Sequence, residues 1–210
     1  MISRRSFTVG VMALGLNAAL PKVGFADRAA ERLIVAARKQ LGDDVRYEAS
    51  YWKIPYPGGD VPVDVGVCTD VIIRAYRAGL GLDLQKLVHE DMRTTFSQYP
   101  NLWGLTAPDT SIDHRRVPNL EVFFARQGGN RGAPRGGVPG DTVVTDLRPG
   151  DLLTWRLGKT RLPHIGLVTE IRRPSSEGVA ILHNIGAGPE EQLLEVMAPY
   201  LLVGHYRYAV

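Results

Sequence analysis

The sequence contains a single cysteine, Cys68, among its 210 residues. One cysteine excludes an intramolecular disulfide. The sequence also contains no C-x-x-C or H-x-x-x-H pair, the spacings that are typical of a structural zinc site. The chain also lacks internal repeats and heptads, which excludes solenoid and coiled-coil architectures. With 44% hydrophobic and 22% charged residues, the composition is that of an ordinary globular protein with one sizeable core.

No apolar run is long enough to span a membrane comfortably. The run over residues 9–20 instead follows an arginine pair, Arg4 and Arg5, and precedes the small residues of segment 24–26. This pattern predicts a twin-arginine signal peptide over residues 1–26 that is cleaved at its end, with a retained short anchor as the alternative. We expect an exported protein, periplasmic or secreted, without a stable membrane span after cleavage.

The mature part of the chain has no excess of basic side chains. The full sequence has 25 Lys and Arg residues against 22 Asp and Glu, and the export segment carries three of the basic residues and no acid. Residues 27–210 are therefore neutral overall, which excludes the basic surface typical of a nucleic-acid-binding protein. The sequence predicts one domain over residues 27–210 and no nucleic-acid partner.

Apolar periodicity predicts helices in the first part of the domain and strands in the last third. The helices are expected between Asp27 and Gly42, from Cys68, after a cap at Asp83 and after a cap at Asn119, and the strands over 152–155, 164–171, 179–184 and 202–208. Helices followed by consecutive strands predict an α+β fold, with N-terminal helices packed on an antiparallel β-sheet.

Cys68 lies where its helix is predicted to begin, after the turn-forming residues 56–62. Unpaired backbone N–H groups at a helix N-terminus favour negative charge, so we expect this position to lower the pKa of the thiol. Asp70 falls at the third helical position, where a carboxylate can cap the helix. The alternative for Cys68 is a small buried hydrophobic side chain.

Two histidines can complete a nucleophilic site. Period-2 alternation places His164 on one strand face with Gly166. The next strand presents His183 and Asn184 to opposite faces, and either one could orient His164, because strand register decides between them. The predicted chemistry is attack of a Cys68 thiolate on an acyl carbon, with His164 carrying the proton to the leaving amine.

Several motifs carry a family resemblance. They are Tyr56-Pro57-Gly58-Gly59, Cys68-Thr69-Asp70-Val71, Asp113-His114-Arg115-Arg116-Val117-Pro118-Asn119, Arg148-Pro149-Gly150-Asp151-Leu152, His164-Ile165-Gly166-Leu167-Val168 and Ile181-Leu182-His183-Asn184-Ile185-Gly186-Ala187-Gly188. The sequence resembles the NlpC-type cysteine peptidases, papain-like enzymes that cut peptide bonds in the stem peptides of bacterial peptidoglycan. Within that superfamily it is most similar, over residues 28–208, to a YijF-type family of exported bacterial proteins, known as a domain of unknown function. The resemblance implies a papain-like fold with Cys68 as nucleophile, His164 as general base and His183 as the orienting residue.

The chain departs from the NlpC-type pattern around the cysteine and by an insertion around residues 79–146. Val67 stands where that pattern has Asp, and Thr69-Asp70 stands where it has Ser-Gly. The insertion includes the glycine-rich loop 128–140, a candidate lid. The candidate substrate-binding residues are Tyr56, Asp70, Arg115, Arg116 and Trp155, among which the arginines suit a substrate carboxylate.

The sequence therefore predicts an exported cysteine hydrolase, an amidase or endopeptidase, with no cofactor and no metal. Its expected substrate is a peptidoglycan stem peptide or another peptide or amide. Two alternatives remain open. One is a catalytically silent papain-like binding module of the cell envelope. The other is a zinc site built from Cys68, His164 and His183.

Overall fold

A computed structural model describes residues 25–132, 146–171 and 178–210. Residues 1–24 of the predicted signal peptide and residues 133–140 of the candidate lid lie outside the described residues. Among the residues that are described, no helix combines the length and the apolar character needed to cross a membrane.

Four α-helices precede the sheet in the described part of the chain. They are α1 (Phe25–Arg38), α2 (Cys68–Leu80), α3 (Leu84–Thr95) and α4 (Val117–Arg126). The predicted start at Cys68 and the predicted cap at Asp83, which accepts from the backbone of Gln85 at 3.1 Å, are confirmed. The cap predicted at Asn119 is wrong, because α4 begins two residues earlier and the Asn119 amide donates to the Asp113 carbonyl.

The helix that carries the cysteine packs closely against α1. A Cβ atom at Gly79 would lie 2.7 Å from the carbonyl oxygen of Arg32, so only glycine lets the two helices approach this far. Helix α2 runs through Gly79 to Leu80, and the next residue, Gly81, caps it in a left-handed conformation with φ of 69°.

The described residues contain seven strands, which form two separate sheets. The strands β1 (Arg46–Tyr47) and β2 (Val65–Gly66) form a short parallel pair. The larger sheet contains β3 (Leu152–Leu157), β4 (Leu162–Ile171), β5 (Val179–Asn184), β6 (Pro189–Leu193) and β7 (Leu201–Tyr206). Its five strands run antiparallel in the order β6-β5-β4-β3-β7. The described residues thus confirm the α+β fold and its antiparallel sheet.

Strand β6 was not predicted from the sequence. It begins with Pro189 and continues through three polar residues, and it lies at an edge of the sheet. An edge strand pairs on one side only and tolerates a proline at its start, so it need not show apolar alternation. The other four strands of the large sheet appear where the alternation placed them.

The large sheet separates two apolar clusters. On one face, Leu152, Ile165, Leu167 and Leu182 pack with the helices, and Cys68 belongs to the same cluster. The other face carries a smaller cluster of Leu153, Trp155, Val168, Ile181, Met197 and Leu202. The start of α2 is therefore held against the middle of the sheet by the main core of the protein.

The turn before β3 is fixed by a buried carboxylate, Asp151. Its Oδ2 lies 2.7 Å from His205 Nε2, and its Oδ1 accepts from Arg207 Nε at 2.7 Å. Burial opposes the charge of Asp151, but the hydrogen bonds from His205 and Arg207 outweigh it and hold the pKa below its usual range. This ion pair joins the turn to β7 and to the residue that follows it.

We expect Asp151→Asn to lower the free energy of unfolding by about 3 kcal/mol, because it removes the anion from a buried charged network. Urea denaturation at pH 7 measures the change. The matched control is Asp146→Asn, at an exposed carboxylate that also pairs with Arg207. This variant should have the same free energy of unfolding as the wild type. Equal stability of the two variants would contradict the role assigned to Asp151.

Candidate active site

The cysteine occupies the first turn of α2 beside the short parallel sheet. Val67 is the N-cap residue in an extended conformation, and its backbone N–H donates to Asp70 Oδ2 at 2.7 Å. Strand β2 ends one residue before that cap, and its Gly66 pairs with Tyr47 of β1. The local sequence thus brings the Tyr47 side chain to the start of the cysteine helix.

Two buried imidazoles form the second part of the site. His164 Nε2 lies 2.9 Å from His183 Nδ1, and the two rings meet edge-on. His164 and His183 are 1% and 0% exposed. The structure therefore joins His183 to the far nitrogen of His164, whereas the Asn184 side chain accepts from the backbone of Gly186 instead.

Gly166 makes room for this imidazole pair. A Cβ atom at position 166 would lie 3.3 Å from the Cβ of His183 and 3.4 Å from the Trp155 ring, closer than most real contacts of that kind. The Trp155 ring lies 5.9 Å from the ring of His164 and is fully buried. Trp155 is thus a wall of the histidine pair, which does not fit its expected role at a substrate surface.

The thiol lies beside the strand that carries His164. The backbone amide of Ile165, the next residue on β4, favours the thiolate of Cys68, as do the Tyr47 hydroxyl and the Thr69 amide. No hydrogen bond joins Cys68 to His164 among the described residues, and His164 Nδ1 is buried without a hydrogen-bond partner there. His183 Nε2 is also buried without a partner there, but His164 Nδ1 belongs to the residue directly before Ile165, whose amide contacts the thiol.

Burial dominates the electrostatics of both groups. It raises the pKa of the Cys68 thiol to about 11, although the neighbouring donors oppose this. Burial and the charge of His183 lower the pKa of His164 to about 3. The expectation that the helix N-terminus lowers the thiol pKa is therefore wrong, because a 3% exposed thiol loses more from desolvation than it gains from the unpaired amides. The resting site holds a neutral thiol and a neutral imidazole.

Tyr47 is the site residue that the sequence did not single out. Burial and the adjacent Cys68 raise the pKa of its hydroxyl above the usual value, so it is a permanent donor at neutral pH. Its segment is a two-residue strand, too short for a periodicity signal. Only the pairing of β1 with β2 brings it to the cysteine.

Asp70 and Arg115 meet each other instead of facing a substrate. Arg115 Nε donates to Asp70 Oδ1 at 2.8 Å, and Arg115 Nη2 donates to Asp70 Oδ2 at 2.9 Å. Both side chains are 2% exposed. A guanidinium committed in this way cannot receive a substrate carboxylate, so the structure does not support the expected substrate-binding role of Arg115.

The remaining two candidates lie elsewhere. The Arg116 guanidinium stacks 3.9 Å above the Trp103 ring and borders a cleft of about 280 Å³ whose lining does not include Cys68. Tyr56 is partly exposed and packs edge-on against His89 of α3. The described contacts bring neither residue to the thiol.

The zinc alternative finds no support in the geometry. Across residues 25–132, 146–171 and 178–210, no three His, Cys, Asp or Glu side chains lie together so that they could hold a metal ion. His164 Nε2 is occupied by His183, and it is not free to bind a metal shared with Cys68.

Two comparisons with known proteins cover most of the chain. The family described as "Domain of unknown function (DUF1287)" matches residues 34–208. The chain is also 46% identical over 180 residues to the "Uncharacterized protein YijF" of Escherichia coli (strain K12), which covers 83% of this chain and 79% of that protein. The predicted YijF-type relationship is confirmed, and the placement in the NlpC-type superfamily stays a prediction.

We expect the folded protein to lose stability in mild acid because of His164. An unfolded histidine takes up a proton near pH 6.5, whereas His164 stays neutral in the folded state down to a pKa of about 3. The stability due to the neutral imidazole is therefore complete above pH 6.5 and is lost as the pH falls from 6.5 towards 3.

Urea denaturation at pH 7.5 and pH 5.0 tests this for the wild type and for His164→Gln, whose amide can still bond His183. The wild type should lose about 2 kcal/mol more than the variant between the two pH values. Parallel losses in both proteins would contradict a buried, neutral His164.

Proposed function

This chain belongs to the DUF1287 family, and we propose that it is a cysteine hydrolase that cleaves amide bonds. Two observations carry the proposal: His164 and His183 form a buried hydrogen-bonded pair, and the backbone amide of Ile165, the residue after His164, contacts the Cys68 thiol. Nucleophilic catalysis by a thiol needs a base and a group that orients the base. These three side chains can supply both.

The position of the protons decides which nitrogen acts. If His164 Nε2 carries the proton of the 2.9 Å hydrogen bond, it donates to His183 Nδ1, and His164 Nδ1 has a free lone pair. Since that nitrogen has no other hydrogen-bond partner in the described residues, His164 Nδ1 is the proposed base. His183 then selects the tautomer in which His164 can accept a proton.

The proposed reaction proceeds through a thioester. The Cys68 sulfur forms a bond to the carbonyl carbon while its proton moves to His164 Nδ1. The C–N bond of the tetrahedral intermediate then breaks, and the same proton leaves with the amine. Water attacks the thioester with His164 again as base, which releases the carboxylic acid and restores the thiol. Because burial keeps both groups neutral at rest, proton transfer accompanies the attack and does not precede it.

The Tyr47 hydroxyl and the backbone amides of Thr69 and Ile165 supply donors at the thiol. Such donors can stabilise the negative charge that develops on the carbonyl oxygen during attack. The proposal thus assigns the nucleophile to α2, the base to β4, the orienting group to β5 and electrostatic support to Tyr47 of β1.

Peptidoglycan stem peptides are the proposed substrate class. The support is the NlpC-type resemblance of the motifs around Cys68, His164 and His183, together with a cysteine helix packed on an antiparallel sheet. The papain-like placement is part of this proposal. So is export, which rests on the arginine pair and the apolar run of residues 1–26.

A silent binding module is the second candidate. Its support is the protonated, buried thiol, which makes no hydrogen bond to His164 among the described residues. Such a protein would bind the same peptides and leave them intact.

We expect the purified protein to release new fragments from peptidoglycan or soluble stem peptides, as read by mass spectrometry. Cys68→Ala and His164→Ala should each abolish release, because they remove the nucleophile and the base. Circular dichroism must show that both variants are folded. Fragments released by folded Cys68→Ala would overturn the proposal, and peptides that the wild type binds but does not cut would favour the binding module.

We expect His183→Ala to lower kcat at least about 100-fold, because His164 then loses the group that sets its tautomer. His183→Gln should recover part of this loss, since its amide oxygen can accept from His164 Nε2. The matched control is Asn184→Ala at the adjacent buried residue, which should retain most of the activity of its folded fraction. Equal losses in both alanine variants would contradict His183 as the orienting residue.

A further inference from the structure

We propose that Arg115 is a positioning residue for the nucleophile, acting through Asp70 on Cys68. The inference rests on the proposed function, because it matters for catalysis only if Cys68 attacks a substrate. Arg115 belongs to a short 3-10 turn, Asp113–Arg115, just before α4. Its side chain reaches from this turn to the first turn of α2.

The contact is a two-point contact on one carboxylate. The two Arg115–Asp70 hydrogen bonds of 2.8 and 2.9 Å use both carboxylate oxygens, so they fix the Asp70 side chain in orientation as well as in distance. Asp70 Oδ2 in turn accepts from the Val67 backbone. The residue that precedes Cys68 and the residue two positions after it are thus held by one ion pair.

The same arginine also holds the other segments at the site. The Arg115 carbonyl accepts from Thr69 Oγ1 at 3.0 Å. Its guanidinium donates to the Ser50 carbonyl at 3.3 Å and to the Glu48 carbonyl at 3.5 Å. Glu48 follows Tyr47 directly. Arg115 therefore ties the nucleophile helix to the strand that brings the Tyr47 hydroxyl to the thiol.

Charge gives Arg115 a second effect. Asp70 lies two residues from Cys68 and disfavours the thiolate, and both Asp70 and Arg115 are buried where solvent screens little. The guanidinium compensates the carboxylate and so limits the penalty on the thiolate. Tyr47 on β1 also contacts the thiol, and its hydroxyl is uncharged at neutral pH. On β4 and β5, the imidazoles of His164 and His183 are likewise uncharged at neutral pH.

A purely structural ion pair and a positioning pair make opposite predictions. If Arg115 and Asp70 only stabilised the fold, removing either one would loosen the helix start and expose the thiol, and both changes would speed its alkylation. If the pair sets the charge at Cys68, neutralising Arg115 leaves an anion near the thiol, whereas neutralising Asp70 leaves a cation. The two variants should then move thiol reactivity in opposite directions.

The test is the rate of iodoacetamide alkylation at pH 8, followed by mass spectrometry on the full chain. Cys68 is the only cysteine, so the rate reports this thiol alone. At a pH below the thiol pKa, the rate falls tenfold for each pH unit by which the pKa rises. We expect Arg115→Gln to react at least about tenfold more slowly than the wild type, and Asp70→Asn at least about threefold faster.

The double variant Asp70→Asn/Arg115→Gln, which replaces the ion pair by a neutral hydrogen-bonded pair, should return to within about threefold of the wild type. Faster alkylation in both folded single variants would overturn the proposal. If Arg115→Gln does not fold, Arg115→Lys replaces it. The lysine keeps the charge, so its rate should stay within about threefold of the wild type, and a rate more than tenfold higher would overturn the proposal.

Alkylation needs no substrate, which separates this inference from the proposed function. The alkylation rates could shift as expected in Arg115→Gln and Asp70→Asn while the wild type cleaves no substrate. This result would uphold the role of Arg115 at the thiol and refute the hydrolase. Conversely, the wild type could hydrolyse its substrate while all variants are alkylated at the same rate. This result would refute the role of Arg115 and leave the hydrolase standing.

Discussion

The hydrogen bond between His164 and His183 constrains the sheet around it. It requires one register of β4 and β5, because a slip by one residue would turn an imidazole to the other face. It is also favoured by glycine at position 166, where a Cβ atom would lie 3.3 Å from the Cβ of His183 and 3.4 Å from the Trp155 ring. The arrangement still leaves His164 Nδ1 buried without a hydrogen bond in the described residues. An unpaired buried polar atom costs about 1–3 kcal/mol, and in the proposed reaction this nitrogen accepts the proton of the thiol.

Burial explains why the site is neutral at rest. A helix N-terminus attracts negative charge only within its first turn, and each favourable interaction there is small. Desolvation of a fully buried thiol is larger, and it raises the pKa of Cys68 to about 11 while the same burial lowers the pKa of His164 to about 3. A preformed ion pair of thiolate and imidazolium would have to overcome both effects. A mechanism in which His164 takes the proton during attack needs neither charge beforehand.

The sequence predicted the elements of this site better than their contacts. The start of α2 near Cys68 was predictable because the turn-forming residues 56–62 exclude a helix there and the apolar periodicity begins after them, and both signals are local. The choice between His183 and Asn184 depended on register, and the pairing of Arg115 with Asp70 joins positions 45 residues apart. Such contacts leave no periodicity in the chain. The same holds for the polar edge strand β6, because its own residues show no apolar alternation and it is recognisable as a strand only from its pairing with β5.

The segment between α2 and β3 takes on a structural meaning from Arg115. Asp70 stands two residues after the cysteine, and its carboxylate is buried. A buried carboxylate near a thiol is unfavourable by itself, and contact with a cation offsets that cost. Arg115 supplies the cation from this segment, and its carbonyl accepts from Thr69 as well. Asp70 and Arg115 therefore form one unit, in which a residue of the segment between α2 and β3 compensates a carboxylate in the first turn of the cysteine helix.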